Sequence, residues 1–126
     1  MNNWLLDTNA LIWLFEGAIR MDSVKKFFLL PDTRVYISIV SWWEIAIKIR
    51  IGKLPINYEQ LKAYVNEYDF HELPITGNHI NTYLKLPNLH KDPFDHMLLA
   101  QAIGCPMRLI SGDPVMAEYT SLVVLI

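Results

Sequence analysis

Short apolar segments alternate with amphipathic segments along the chain, and this alternation restricts the fold more than any other feature. The apolar segments are rich in β-branched and aromatic side chains, which favours strands, and they cover residues 4–6, 35–39, 70–73, 108–110 and 122–126. The segments between them carry apolar residues at spacings of three and four, which predicts helices over residues 10–15, 23–30, 42–51, 58–68, 77–84 and 94–103. Strands that alternate with helices form mainly parallel sheets that are covered on both faces. The sequence therefore predicts an α/β fold, a three-layer α/β/α sandwich with a mainly parallel central sheet.

Length and composition fit a single domain, residues 1–126. Of the 126 residues, 52% are hydrophobic and 19% are charged, which excludes a largely disordered chain. The 11 Lys and Arg residues stand against 13 acids, so the net charge is −2. The chain therefore lacks a strongly basic composition, and binding to a nucleic acid would need a local basic patch.

Cysteine content and hydropathy indicate the compartment. The one cysteine, Cys105, excludes an internal disulfide and a Cys-rich zinc site, and we predict that it is a small buried residue. The first residues lack the basic start and apolar run of a signal peptide, and no uncharged run approaches the roughly 20 residues of a membrane span. We expect a soluble, cytoplasmic protein without a membrane partner.

Four of the 13 acids lie where strands end or where helices begin beside them. Asp7 comes directly after the first predicted strand, and Glu44 lies one turn into the helix after the second. Asp113 follows the fourth strand, and Asp95 opens the helix that leads into it. Ligands of open parallel sheets bind beyond the carboxyl ends of the strands. We therefore expect these four carboxylates to gather at that edge of the sheet.

Helix capping is an alternative explanation for each acid. Residues 41–44 have the spacing of a capping box from Ser41 to Glu44. Asp92 and Asp113 each precede a proline, as an N-cap residue precedes proline at the first helical position. Asp7 or Asn9 can begin a helix in the same way.

Taken together, the four acids predict a cation site. Two carboxylates about 4 Å apart repel by roughly 4 kcal/mol at an effective dielectric constant of about 20, so a site that gathers several needs protons or a cation. Oxygen ligands without cysteine favour Mg²⁺ or Mn²⁺, and such ions support phosphodiester hydrolysis. Thr8, Asn9 and Ser111 offer neutral oxygens or donors that can position an attacking water, or they serve as cap and turn residues.

Four sequence blocks resemble the PIN-domain ribonucleases and, within them, the VapC toxins of bacterial toxin-antitoxin pairs. The first block is LLDTNALIW at 5–13, and the second is SIVSWWEIAIK at 38–48 with GKL at 52–54. The third is HKDPFD at 90–95 with LAQA at 99–102, and the fourth is ISGD at 110–113. They match the family in order and separation over nearly the whole chain. The resemblance implies a PIN-like α/β/α sandwich and a Mg²⁺- or Mn²⁺-dependent endoribonuclease.

The same resemblance maps the family's acidic quartet to Asp7, Glu44, Asp95 and Asp113, and we assign each of them a role. Asp7, Asp95 and Asp113 would hold the metal, and Glu44 would complete the pocket and orient or deprotonate the attacking water. Asp92 matches an acid common in this subgroup, and we interpret it as a capping residue that supports the site. Ser111 stands where relatives often carry Thr, so the hydroxyl is kept.

Basic residues near Glu44 are candidate RNA contacts. Lys48, Arg50 and Lys53 form the densest basic cluster of the chain, which serves either to contact phosphates or as a solvated face in which Lys48 pairs with Glu44. His96 is a further candidate contact, although relatives often carry Arg there and His is mostly neutral at pH 7.

Two adjacent tryptophans predict an interface. Trp42 and Trp43 cannot both face the core of one helix, because neighbouring side chains diverge by about 100°. By resemblance, the exposed one would contact the arm of a VapB antitoxin or a second copy of the chain in a homodimer.

Two non-enzymatic functions remain as alternatives. A receiver-like phospho-acceptor domain has a similar length and α/β alternation, but Asp7 stands alone where such domains carry paired acids, and Glu72 to Pro74 offers no acceptor Asp. A binding module whose acids only cap helices is the second alternative.

Overall fold

Seven α-helices and five β-strands make up the part of the chain that the computed structural model describes, residues 2–126. In chain order they are β1 (Asn3–Leu6), α1 (Thr8–Glu16), α2 (Asp22–Phe28), β2 (Arg34–Ser38), α3 (Ile39–Arg50), α4 (Tyr58–Glu67), β3 (His71–Leu73), α5 (Gly77–Tyr83), α6 (Pro93–Gly104), β4 (Arg108–Ser111), α7 (Pro114–Ala117) and β5 (Val123–Leu125). A short 3₁₀ helix, Ile19–Met21, precedes α2. All five predicted strands and all six predicted helices are present, with ends shifted by up to three residues, and α7 is an addition.

The strands form one sheet in the order β3-β2-β1-β4-β5, and every neighbouring pair is parallel. The predicted parallel α/β fold is thereby confirmed. Receiver-like domains have the strand order 2-1-3-4-5 instead. The receiver-like alternative is therefore wrong.

Two hydrophobic clusters cover the two faces of the sheet. Successive side chains of a strand point to opposite faces, so Leu5 belongs to one cluster and Leu6 to the other. Helices α1 to α4 pack on the Leu6 side with Trp42 and Leu61, and α6 packs on the Leu5 side with Leu98. Helices on both faces of the sheet give the predicted three layers.

The start of α3 differs from the predicted capping box. The helix begins at Ile39, because the Ser38 side chain accepts a hydrogen bond from Val40 N–H at 3.0 Å and caps it. Ser41 therefore lies within the helix, buried, and its hydroxyl accepts a hydrogen bond from Thr8 Oγ1 at 3.1 Å. The prediction that Ser41 and Glu44 form a capping box is wrong.

Two further predictions concern exposure. Cys105 is exposed, not buried as predicted, because it follows the last residue of α6 at its solvent-facing end. Trp42 is buried, whereas 62% of Trp43 is exposed, so the prediction that the two cannot share the core is confirmed. No helix within residues 2–126 is both long and apolar enough to cross a membrane.

Candidate active site

A cleft of about 420 Å³ opens at the carboxyl ends of β1 and β4. The chain runs outward from β1 through β2 to β3 and then crosses to β4 on the other side, so β1 and β4 flank the point where the strand order reverses. All four predicted acids line this cleft, together with Asp92. The remaining lining residues are Thr8, Asn9, Trp13, Arg20, Lys48, Gly112 and Pro114.

Asp7 forms the floor of the cleft. It follows β1 directly and caps α1, where its Oδ1 accepts the Ala10 N–H at 2.8 Å. Only 5% of the residue is exposed, and this burial raises the pKa of its carboxyl to about 6. The negative charges of Asp95 and Glu44 raise this pKa further, whereas hydrogen bonds from Ser111 and Ala10 lower it. The two neighbouring acids are thus close enough to Asp7 to oppose its ionisation.

The first turn of α6 supplies two acids to the cleft. Asp92 caps the helix, and its Oδ1 accepts the N–H groups of Phe94 at 2.9 Å and Asp95 at 3.2 Å. Asp95 is partly buried, which raises the pKa of its carboxyl, and the charges of Asp92 and Glu44 act in the same direction. A hydrogen bond from His90 opposes this shift.

Glu44 and Asp113 border the cleft from α3 and α7. Glu44 Oε2 lies 3.2 Å from Lys48 Nζ, which is the pairing expected for these two residues. Asp113 is exposed and caps α7, where its Oδ1 accepts the Val115 N–H at 3.1 Å. The capping predicted for Asp92 and Asp113 is therefore confirmed, and of the two candidates Asp7 and Asn9 it is Asp7 that caps α1. All three capping aspartates nevertheless line the cleft.

Neutral groups connect the acids to one another. The buried Ser111 hydroxyl accepts the Asp113 N–H at 3.1 Å, and its hydrogen-bonding capacity acts to lower the pKa of the Asp7 carboxyl. Thr8 is buried and donates to Ser41, which ties α1 to α3. Asn9 is exposed at the cleft wall.

A sequence model of the PIN domain matches residues 4–122, nearly the whole chain. The chain belongs to the PIN-domain family. Its cleft therefore lies at the sheet edge of a PIN domain. No curated protein sequence matches the chain significantly.

Three solved structures show the same PIN fold. VapBC2 from Rickettsia felis, bound to a DNA fragment from its promoter, matches with a TM-score of 0.70 at 14% identity, over 98% of this chain and 97% of that one. A toxin-antitoxin complex from Klebsiella pneumoniae matches with a TM-score of 0.68 at 23% identity, over 95% and 94%. VapBC-1 from nontypeable Haemophilus influenzae matches with a TM-score of 0.69 at 22% identity, over 92% of this chain and 90% of that one.

Three residues in or beside the PIN cleft were not anticipated from the sequence. The Arg20 guanidinium stacks on the Trp13 ring, 3.7 Å from its centroid, and donates to the Ile126 carbonyl at 3.0 Å. His90 Nε2 lies 3.1 Å from Asp95 Oδ2. His90 opens the block at 90–95 and Trp13 closes the block at 5–13, so both positions carried an available signal, whereas nothing local marks Arg20.

The candidate RNA contacts are divided by the fold. Lys48 lines the cleft, whereas Arg50 and Lys53 are exposed outside it. His96 lies in a neighbouring cavity of about 540 Å³, where its Nε2 is 2.8 Å from the His90 carbonyl. Contact of these residues with RNA stays a prediction.

The donor set of the cleft suits a hard divalent cation. Its acids present only oxygen atoms, the ligand type that Mg²⁺ and Mn²⁺ prefer. Burial is the main cause of the raised pKa of Asp7 and the charges of two further acids add to it, and a cation beside the carboxylate would offset both effects. Within residues 2–126, no three His, Cys, Asp or Glu side chains are already drawn together as a ligand set. The chemistry of these residues therefore suits a metal ion, and their side chains would have to move closer together to bind it.

Proposed function

We propose that this PIN domain is a metal-dependent endoribonuclease that acts as the toxin of a type II toxin-antitoxin system. The observation that carries the proposal is the convergence of Asp7, Glu44, Asp95 and Asp113 on one cleft at the edge of a PIN sheet. Chains of the same fold in toxin-antitoxin complexes support the biological role.

Asp7, Asp95 and Asp113, with Glu44 beside them, are the proposed ligands of Mg²⁺ or Mn²⁺. A bound ion of this kind polarises the phosphodiester and lowers the pKa of an attacking water. Asp7 must be ionised to act as a ligand, and its pKa of about 6 leaves it mostly ionised at neutral pH even without a cation. Asp92 acts by capping α6, which fixes the backbone that carries Asp95.

The other cleft residues orient water and RNA. Glu44 is the acid proposed to orient or deprotonate the attacking water, since it lies on the α3 wall and not at the floor. The Ser111 hydroxyl favours the ionised form of Asp7, and Thr8 and Asn9 add polar groups to the cleft. Lys48 and Arg20 place two positive charges at the rim, where RNA phosphates would approach.

The proposed partners are a VapB-type antitoxin, a second copy of the chain and RNA, all meeting the toxin in the cytoplasm. Trp43 is the candidate contact residue for a protein partner, because it is exposed and packs on Phe94 with ring centroids 5.4 Å apart. Val40, Ile75 and Met97 complete an apolar groove of about 270 Å³ beside it.

Cleavage of total cellular RNA tests the enzyme activity. The purified chain is expected to release discrete fragments with Mg²⁺ or Mn²⁺ and none with EDTA. Asp95→Asn is expected to abolish cleavage, whereas Glu67→Gln, which neutralises an exposed acid outside the cleft, keeps it. Full activity of a folded Asp95→Asn variant, or equal cleavage in EDTA, would contradict the proposal.

A metal-free binding module is the second candidate, because Asp7, Asp92 and Asp113 all cap helices. Asn caps as well as Asp, so Asp113→Asn would keep the stability of such a module, and Mg²⁺ would leave its melting temperature unchanged. A nuclease is expected to gain thermal stability from Mg²⁺ and to lose part of that gain in Asp113→Asn.

A further inference from the structure

His90 connects the acidic cleft to Tyr119, a residue outside it. The two ring nitrogens of His90 have different neighbours: Nε2 lies 3.1 Å from Asp95 Oδ2, and Nδ1 lies 2.8 Å from the Tyr119 hydroxyl. A neutral imidazole carries its proton on one nitrogen and accepts a hydrogen bond on the other. The groups around Tyr119 decide which nitrogen carries the proton.

The Tyr119 oxygen already accepts two hydrogen bonds. The backbone N–H groups of Leu89 and His90 donate to it at 3.0 and 3.1 Å, and a backbone N–H can only donate. These two bonds use the acceptor positions of the phenolic oxygen. A third donor from His90 Nδ1 would have no lone pair to receive it, so Tyr119 must donate its own proton.

His96 does not provide an alternative acceptor for that proton. Its Nε2 lies 2.8 Å from the His90 carbonyl oxygen and 3.2 Å from the Tyr119 oxygen. A carbonyl only accepts, so His96 Nε2 carries a proton and points it at His90 O. The remaining acceptor near the Tyr119 O–H is His90 Nδ1.

We propose that Tyr119 fixes the tautomer of His90 and that His90 is thereby a positioning residue for Asp95. Tyr119 O–H donates to His90 Nδ1, and the imidazole proton lies on Nε2 and is donated to Asp95 Oδ2. The partner on one ring nitrogen thus sets the role of the other.

This arrangement fixes the orientation of a cleft carboxylate. The His90 N–H engages Oδ2, whereas Asp95 Oδ1 has no hydrogen-bond donor among residues 2–126. Asp92 fixes the backbone of the same residue through its N–H. Asp95 is therefore held from two sides with one oxygen free. The benefit of this for metal binding rests on the function proposed above, whereas the tautomer does not.

Nitrogen-15 NMR of the histidine rings tests the tautomer without RNA or metal. In the wild type, the His90 signals are expected to show a protonated Nε2 and an unprotonated Nδ1. Tyr119→Phe is expected to reduce this preference to a mixture of tautomers. Tyr83→Phe is the matched control, because Tyr83 lies beside the His96 ring and makes no hydrogen bond to His90. A proton on Nδ1 in the wild type, or an unchanged tautomer in Tyr119→Phe, would overturn the proposal.

Two substitutions of His90 separate positioning from general structural support. The amide of His90→Gln reaches the place of Nε2 and can donate to Asp95, whereas the shorter amide of His90→Asn reaches only the place of Nδ1. Titration with Mn²⁺ alone measures the metal affinity of both variants. The affinity is expected to be about 10-fold lower in His90→Asn, which is the lower end of the losses seen when residues that support metal ligands are replaced. In His90→Gln the affinity is expected to stay near that of the wild type. Equal losses in both folded variants, or none in either, would contradict the positioning role.

The readouts also distinguish the two proposals. If the chain cleaves no RNA but the tautomer depends on Tyr119, the proposed function fails and the hydrogen-bond assignment stands. If RNA is cleaved and the two His90 variants behave alike, the nuclease stands and the positioning role fails.

Discussion

Lys48 Nζ lies 3.2 Å from Glu44 Oε2, one helical turn apart on α3, and both side chains border the acidic cleft. Lys48 keeps 40% of its side chain exposed, whereas Glu44 keeps 12%. The lysine therefore offsets one negative charge of the cleft while its ammonium stays accessible to solvent. The same residue can partly neutralise the site and contact a phosphate.

We expect Lys48→Gln to separate these two effects. Removal of a partly exposed ion pair changes the free energy by about 0.2–1 kcal/mol, so the affinity for Mn²⁺ is expected to rise by up to about fivefold. RNA affinity is expected to fall at the same time. Calorimetric titration with Mn²⁺ and RNA binding in EDTA measure the two effects, and a fall in both affinities would contradict the offsetting role of Lys48.

Asp7→Asn is expected to stabilise the metal-free protein at neutral pH. The pKa of Asp7 is about 6 in the folded state, above its ordinary value of 3.8, so folding disfavours the ionised form. The free-energy cost of ionising Asp7 in the folded protein is absent below the unfolded pKa of 3.8. It grows as the pH rises from 3.8 to about 6 and reaches its full size above pH 6. The stability of the variant relative to wild type should therefore increase by about 2 kcal/mol from pH 4 to pH 7.

Urea unfolding in EDTA at several pH values measures this difference. Glu67→Gln, outside the cleft, is the control and should follow the wild-type curve. Parallel curves for Asp7→Asn and wild type would mean that the Asp7 carboxyl ionises as in the unfolded chain.

Gly112→Ala is expected to disturb the rim of the cleft. A Cβ at this position would lie 2.5 Å from the Trp13 ring and 2.8 Å from the Arg20 guanidinium, closer than packed atoms allow. We expect a loss of about 1–3 kcal/mol in unfolding free energy, as in other overpacked sites, and a changed tryptophan fluorescence. Gly77→Ala meets no atom within 4 Å and should leave both unchanged. Wild-type stability of Gly112→Ala would show that the Trp13 and Arg20 stack moves at little cost.

Arg20→Gln is expected to weaken RNA binding and to make that binding less sensitive to salt concentration. The change removes one rim charge and keeps a polar side chain that can donate hydrogen bonds. The loss of one phosphate contact should lower the salt slope of binding by about 1. Lys85→Ala, which removes an exposed charge outside the cleft, is the comparison. An equal reduction of the slope by both variants would indicate a general charge effect.

Trp43→Ala is expected to weaken self-association or antitoxin binding and to leave the monomer folded. The side chain is 62% exposed, and its known contact is with Phe94 on the same face. Sedimentation of the chain alone and with the proposed VapB-type antitoxin measures both associations. Ile51→Ala removes another exposed apolar side chain, outside the apolar groove, and serves as the control. Unchanged association in Trp43→Ala would place the interface elsewhere.

Local sequence patterns predicted the elements but not all of their ends. The spacing of apolar residues and the local composition located every predicted strand and helix, because both signals depend only on residues that are close together in the chain. The start of α3 was misplaced because Ser38 and Ser41 are both acceptable caps, and the choice depends on where the buried end of β2 lies. Cys105 was predicted to be buried because free cysteine side chains usually are, whereas its position past the end of α6 exposes it.

The sequence by itself determined the parallel α/β class and the four acids of the cleft, since both follow from the positions of residues relative to strand ends. The tertiary structure alone decided which distant groups join those acids. Arg20 and Trp13 reach the cleft through the packing of α1 and the loop after it, and Tyr119 reaches His90 from beyond α7. Such contacts depend on the docking of separate elements on the sheet. No spacing within the chain encodes them, because each segment would satisfy its local pattern equally well without the other.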